Sequence, residues 1–218
     1  MEERNIAVTL DKAKEWYQSG SATLKEIALQ AFNENELIYN FKKITTFKDA
    51  CTALGLNYYY ISAITKEVAL TSKASVAMFK LNIVRKALNL GYNLSLTKGP
   101  KDYRIYYPYN PFITESSTCY KGELYSGEIE IIGKIKSGGT LYKVLGYAAF
   151  HGSSTGLGRF NFSSGVGYGD GDVGFLGCAS YKIAKHFSKY FGMLITEAKY
   201  ADMVDFEIIE DKYGNAKK

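Results

Sequence analysis

At Gly91 the periodicity of this chain changes. Before it, apolar residues recur three and four positions apart; after it, they alternate. The first pattern lines one face of a helix and the second one face of a strand. The change divides the 218 residues into a helical N-terminal region, 1–91, and a sheet-forming α+β region, 92–218. No linker forces the two apart, so one compact domain can hold both. Helices followed by strands predict an α+β fold: a helical N-terminal half, an antiparallel sheet with Gly-rich loops, and a packed C-terminal helix.

In the first half, Thr9 is placed to cap a helix over 10–19, with Asp11 in its first turn and Gly20 as its stop. Trp16 is placed to pack that helix on a second. Thr23 and Glu26 have the spacing of a capping box for the second helix, whose stripe is Leu24, Ile27, Ala28, Ala31 and Phe32. One more turn is expected over 34–39 and a short helix over 46–54, ended by Gly55. The run Tyr58, Tyr59, Tyr60 and Ile61 suits either strand or helix. Residues 75–90 carry a broad apolar helical face.

In the second half, strands are expected over 92–97, over 103–107 with a stop at Pro108, over 128–136 and over 141–150. The sequence Ser137, Gly138, Gly139, Thr140 reads as a hairpin turn. Ser180 is placed to cap a last helix over 181–198, with Ile183, Ala184, Phe187, Phe191, Leu194 and Ile195 facing inward. A short strand is expected over 203–209.

Between these elements lies an unusual stretch, residues 144–181, crowded with Gly, Ser, Tyr, Phe, Asn and Asp. It holds no Lys, Glu, Gln, Met or Trp, although these five types supply 44 of the 218 residues. Tyr, Ser, Gly and Asn build antibody-like contact surfaces, with rigid aromatic area beside adaptable polar groups. A recognition surface is therefore expected from Tyr147, Phe150, His151, Ser153, Arg159, Asn161, Tyr168, Asp170 and Asp172.

Other chemistries are weaker on these residues. The net charge of +5 is scattered, without the basic stripe of a nucleic-acid binder. Cys51, Cys119 and Cys178 are odd in number and far apart, which suits a reducing bacterial cytoplasm and neither a disulfide framework nor a zinc knuckle. No apolar run reaches membrane-spanning length, and residues 1–4 do not open a secretory signal. Residues 165–172 (GVGYGDGD) lack the strand, helix and Lys of a nucleotide loop. Asp170 and Asp172 lack the downstream Glu of a calcium loop, so no metal or cofactor is expected. His151 beside Ser153 and Ser154 offers a hydrolase alternative, but sequence adjacency fixes no geometry. His186 reads as a surface or boundary residue of the last helix. A second aromatic group, Tyr106, Tyr107, Tyr109 and Phe112 around Pro108 and Pro111, suits a structural cluster or the wall of a ligand groove.

The opening run 8–17 (VTLDKAKEWY), Leu24 with 28–32 (ALQAF), and Thr46 and Phe47 with 50–55 resemble a group of phage and prophage proteins of gut Bacteroidetes. Lys80, Leu81, Ile83 and 86–89 (KALN), with 173–175 (VGF) before the terminal helix, fit the same pattern. That resemblance implies a mobile-element origin. A further resemblance, to the variable proteins of diversity-generating retroelements, implies a C-type-lectin-like scaffold. There a Gly-Phe-Arg strand would correspond to Gly174, Phe175 and Leu176, so the Arg is missing. Adenine substitution in AAC or AAT codons never yields Lys, Glu, Gln, Met or Trp, the five absent types.

The reading is a non-catalytic phage-encoded binding protein that recognises a host surface molecule or a small ligand. Virion association and homo-oligomers are compatible with it. Two alternatives stay open. One is an intracellular counter-defence protein that sequesters a nucleotide signal, with Arg159 and Lys143 toward phosphates. The other is a small hydrolase using His151.

Overall fold

The computed structural model describes residues 8–19, 21–37, 40–90, 104–152 and 176–216. The strand expected over 92–97 and residues 153–175 of the Gly-rich stretch lie outside them. The chain is α+β. It groups into two compact units, Met1–Phe41 with Leu90–Tyr92, and Lys42–Asn89 with Asn93–Lys218. The helical half is thus shared between the units.

The first unit holds α1 (Leu10–Gln18), α2 (Ala22–Ala31) and α3 (Glu34–Leu37). The Thr9 hydroxyl accepts from Lys12 N and caps α1 as expected. The cap of α2 is Ser21 and not Thr23: its hydroxyl accepts from Leu24 N, and its carbonyl starts the ladder at Lys25 N. An equivalent hydroxyl two positions earlier lets the helix gain residues, which leaves Thr23 inside the first turn. Ala13, Ala28 and Leu37 are fully buried, and Trp16 packs against them as the sequence implied.

A 3-10 turn (Phe41–Lys43) spans the unit boundary, and the second unit continues with α4 (Phe47–Ala53), α5 (Tyr58–Val68) and α6 (Lys73–Leu88). Thr46 and Asp49 form a reciprocal capping box on α4. Burial pushes the Asp49 carboxyl up, but hydrogen bonds from Thr46 and Thr45 outweigh it and hold the group below its usual range. The ambiguous tyrosine run is helical, because Asn57 caps it by accepting from Tyr60 N. Ser72, three residues before the expected start, caps α6. Asp202, from the far end of the chain, joins that cap by accepting from Lys73 N, Ala74 N and the Ser72 hydroxyl.

The sheet comprises β1 (Arg104–Tyr109), β2 (Phe112–Ile113), β3 (Glu130–Ser137), β4 (Thr140–Gly152) and β5 (Glu207–Asp211). The order is β1-β4-β3-β5, all pairs antiparallel, and β2 continues along the β1 side of β4. Here Pro108 does not stop its strand: it pairs with Ala148 within β1. An edge strand needs no second ladder, so the missing N–H costs little there. Gly138 and Gly139 both have positive φ, the geometry of a type I′ turn that closes the β3–β4 hairpin at Ser137 and Thr140.

Simple alternation fails at one point in β3. A register shift between Ile131 and Gly133 turns Ile132 inward, so Ile132 and Ile135 are both buried while Ile131 is half-buried. Consecutive Val144 and Leu145 on β4 are both fully buried, which shows that both sheet faces are covered. Val144 packs with Ile132, Ile135, Met193 and Ile208. Leu145 packs with Ile113 and Ile129, beside Leu124 of α7 (Lys121–Tyr125).

The last helix, α8 (Tyr181–Tyr200), is capped by Ser180 and buries all six of the inward positions named from the sequence. It also buries Ser188, Gly192, Met193 and Thr196, because the sheet covers one side of it and α6 another. Gly192 sets the approach to the sheet: a Cβ there would collide with the Asn110 amide and the Ile132 Cδ1. Gly192→Ala is expected to destabilise the protein by about 1–3 kcal/mol, read as a lower Tm. An unchanged Tm would mean that the helix stands off the sheet.

His186 on α8 is a boundary residue, as expected. Its Nε2–H donates to Ile44 O at 2.7 Å, and its ring lies 4.6 Å from that of Tyr190. Burial holds its pKa below the ordinary 6.5, against the pull of the Ile44 carbonyl. The unfolded chain then binds the extra proton first, so stability is full above pH 6.5 and is lost as pH falls from 6.5 toward the folded value. Thermal melts should show this loss, and His186→Gln, which keeps an N–H donor, should flatten it.

Candidate functional site

Of the residues expected to form the recognition surface, Tyr147, Phe150 and His151 lie on β4, opposite Tyr109, Tyr106 and Ile105 of the edge strand. Ser153, Arg159, Asn161, Tyr168, Asp170 and Asp172 lie outside the described residues. Lys143, offered to a phosphate in the nucleotide reading, is held by Glu115 at 2.5 Å. That ion pair pulls the Glu115 carboxyl below its usual range.

The described residues enclose a different site. A cavity of about 550 Å³ opens beside β2, between the β3–β4 hairpin and the end of α8. Rings form much of its wall: Tyr109 and Phe112 from the edge strands, Tyr120 before α7, Tyr142 from β4, and Tyr200 and Phe206 at and after the end of α8. The Phe112 ring lies 6.4 Å from Tyr142 and 5.6 Å from Tyr200, and Tyr200 lies 6.0 Å from Phe206. These tilted pairs brace one another and leave ring area toward the cavity. Ile113, Ile135, Pro111 and Met203 add apolar wall. The polar side chains present are neutral: Thr114, Ser117, Ser137 and Thr140, together with the Tyr hydroxyls and the Cys119 thiol. Among the described residues, no Asp, Glu, Lys, Arg or His side chain lines it.

The wall is built by the architecture already described. Asn110 sits at the corner between β1 and β2, where its amide donates to Leu145 O and to the Ser188 hydroxyl and carbonyl of α8. Ser188 donates in turn to Tyr109 O. This network fixes Tyr109, Pro111 and Phe112 against the helix whose end supplies Tyr200. At the opposite wall Tyr120 has φ +61°, ψ +14°, a left-handed conformation unusual for an aromatic residue. Its ring packs on Ile113, Ile129 and Leu145. Backbone strain of this kind costs about 1–3 kcal/mol and collects at ligand sites.

The chain matches no protein-family model, no curated protein and no solved structure. The functional reading therefore rests on the geometry and chemistry of the cavity.

Among the described residues, no group of three or more His, Cys, Asp and Glu side chains could hold a metal ion. No described helix is long and apolar enough to cross a membrane. A dense charged cluster ties elements together: Glu130 accepts from Lys189, Lys212 and the Tyr213 hydroxyl at 2.7–3.0 Å. Burial raises that carboxyl, yet Lys212, Tyr213 and Lys189 together hold it below its usual range.

Sequence reasoning marked Tyr106, Tyr107, Tyr109 and Phe112, around Pro108 and Pro111, as a structural cluster or a groove wall; Tyr109, Phe112 and Pro111 line the cavity, and the side chains of Tyr106 and Tyr107 lie outside the described residues. That reasoning missed Tyr120, Tyr142, Tyr200 and Phe206. Each stands alone in a different element, so no local pattern joins them.

Cys119 is exposed and lines the cavity, while Cys51 and Cys178 are buried. Burial pushes the Cys178 thiol up to about 12. A maleimide should therefore label Cys119 first in the folded protein, and an occupant of the cavity should slow that labelling. Equal labelling of all three thiols would contradict the burial.

Proposed function

We propose that this chain is a non-catalytic binding protein whose aromatic cavity takes the flat, uncharged part of a small ligand. The observation that carries the proposal is the pairing of several ring walls with a lining that, among the described residues, carries no charged side chain. A buried charge on the ligand would lose its hydration there and find no counter-charge, whereas an aromatic ring would gain contact area on several sides. The volume of about 550 Å³ is within the range of small-molecule sites. The neutral hydroxyls and backbone groups would orient such a ligand without demanding ionisation.

The resemblance to phage and prophage proteins supports a mobile-element setting for this binding. Host-surface recognition by the Gly-rich stretch belongs to the same proposal, and its diversification is tested by the gene neighbourhood. A reverse transcriptase and a near-repeat differing at adenines would support it.

The direct test of the cavity uses pyrenebutanol, a neutral fluorescent ring on a short alkyl chain. It should bind saturably to the folded protein. Thr140→Trp, which places an indole at the cavity wall, should weaken that binding about tenfold or more while the melting curve stays cooperative. Undiminished binding to the folded variant would move the site elsewhere.

A further inference from the structure

A second cavity, of about 730 Å³, lies on the other side of Phe206, whose residue lines both. The two also divide the tip of the β3–β4 hairpin. Ser137, Gly138 and Thr140 line the aromatic cavity, and Lys136 and Gly139 line the second. Their chemistry differs sharply. Among the described residues, four lysines line the second: Lys66 from α5, Lys73 and Lys80 from α6, and Lys136 from β3. Three carboxylates, Glu197, Asp205 and Glu207, line it as well.

Five lysines outside this cavity are held in ion pairs, and Lys73 acts electrostatically on Asp202 beside the cap of α6. Lys12, Lys134, Lys143, Lys189 and Lys212 each hold a carboxylate at 3.0 Å or less. Among the described residues, none of the four cavity lysines forms such an ion pair, although carboxylates line the same cavity. Glu207 stands directly opposite Lys136 in the β3–β5 register without closing on it. Lys80 instead stands 5.6 Å from the Phe47 ring centroid. Four ammonium groups against three carboxylates leave this described lining net positive, and an anion placed by the lysines gains from that surplus.

We propose that the two cavities form one two-part site for an amphiphilic anion. A flat uncharged ring system would sit in the aromatic cavity. A phosphate, carboxylate or sulfonate joined to it by a short linker would reach past Phe206 to the lysines. The proposal rests on the reading of the aromatic cavity as a ligand site and adds the class of ligand. The order of parts follows from solvation: the charged end keeps water and gains cations in the open cavity, and the ring leaves water.

The test compares pyrenebutanol with pyrenebutyrate, which share ring and linker and differ in charge. Pyrenebutyrate is expected to bind about tenfold tighter at low salt, the scale of two or three partly exposed ion pairs. That preference should shrink as salt is raised. It should collapse toward equality in the triple variant Lys66→Gln, Lys73→Gln, Lys136→Gln, and persist in Lys12→Gln, which is remote from both cavities in sequence and already paired. Circular dichroism confirms that each variant is folded. Equal affinity of the two probes for the wild-type protein would overturn the two-part site and leave the aromatic cavity standing. A preference that survives in the triple variant would also overturn it, because the anion would be held elsewhere. Failure of both probes to bind would remove the aromatic cavity reading and this inference with it.

Discussion

The close seat of α8 on the sheet is the constraint on which the second unit depends. Gly192 has no Cβ, and into that space come the Asn110 amide and Ile132. From this contact Asn110 reaches Leu145 O and Ser188 in one step, tying the edge of the sheet to the helix. Phe187, Phe191 and Leu194 on the same helix are fully buried. Burying each large apolar side chain contributes roughly 1.5–3 kcal/mol. The helix therefore acts as the central beam, with α6 on one side and strands on another. Its end delivers Tyr200 to the aromatic cavity, and the Asp202 that follows completes the cap of α6.

The chain's C-terminal stretch is part of the same frame. Asn215 is buried, and its amide donates to Thr45 O and Tyr190 O while its oxygen accepts from Phe47 N. One side chain thus joins the start of α4, the middle of α8 and the stretch after β5. Glu130 does similar work at the surface by gathering Lys189, Lys212 and Tyr213. The polar groups that are most buried serve architecture. The cavity walls are left to rings and hydroxyls, and that division of labour makes the aromatic cavity chemically distinct.

Much of the fold was legible where a local rule acts alone. Thr9 and Ser180 are caps because a hydroxyl three residues before a free N–H suffices. The Gly138–Gly139 turn follows from the need for two positive φ angles. Errors arose where a second choice or a distant partner decided. Ser21 outcompeted Thr23 as a cap, Pro108 was tolerated because β1 lies at an edge, and the shift near Ile132 broke the alternation of β3. The cavity was legible only at Tyr109, Pro111 and Phe112, which are close in sequence. Tyr142, Tyr200 and Phe206 join them through the sheet and helix packing, information that no short window carries.

The most direct measurement of the central claim is a methyl NMR titration of the intact chain with pyrenebutanol. The account predicts that the methyl groups of Ile113, Ile135 and Met203 shift together and saturate with one affinity, because all three line the aromatic cavity. The methyls of Ile183 and Leu88, buried elsewhere, should move far less. Saturable binding that leaves Ile113, Ile135 and Met203 unmoved would contradict it.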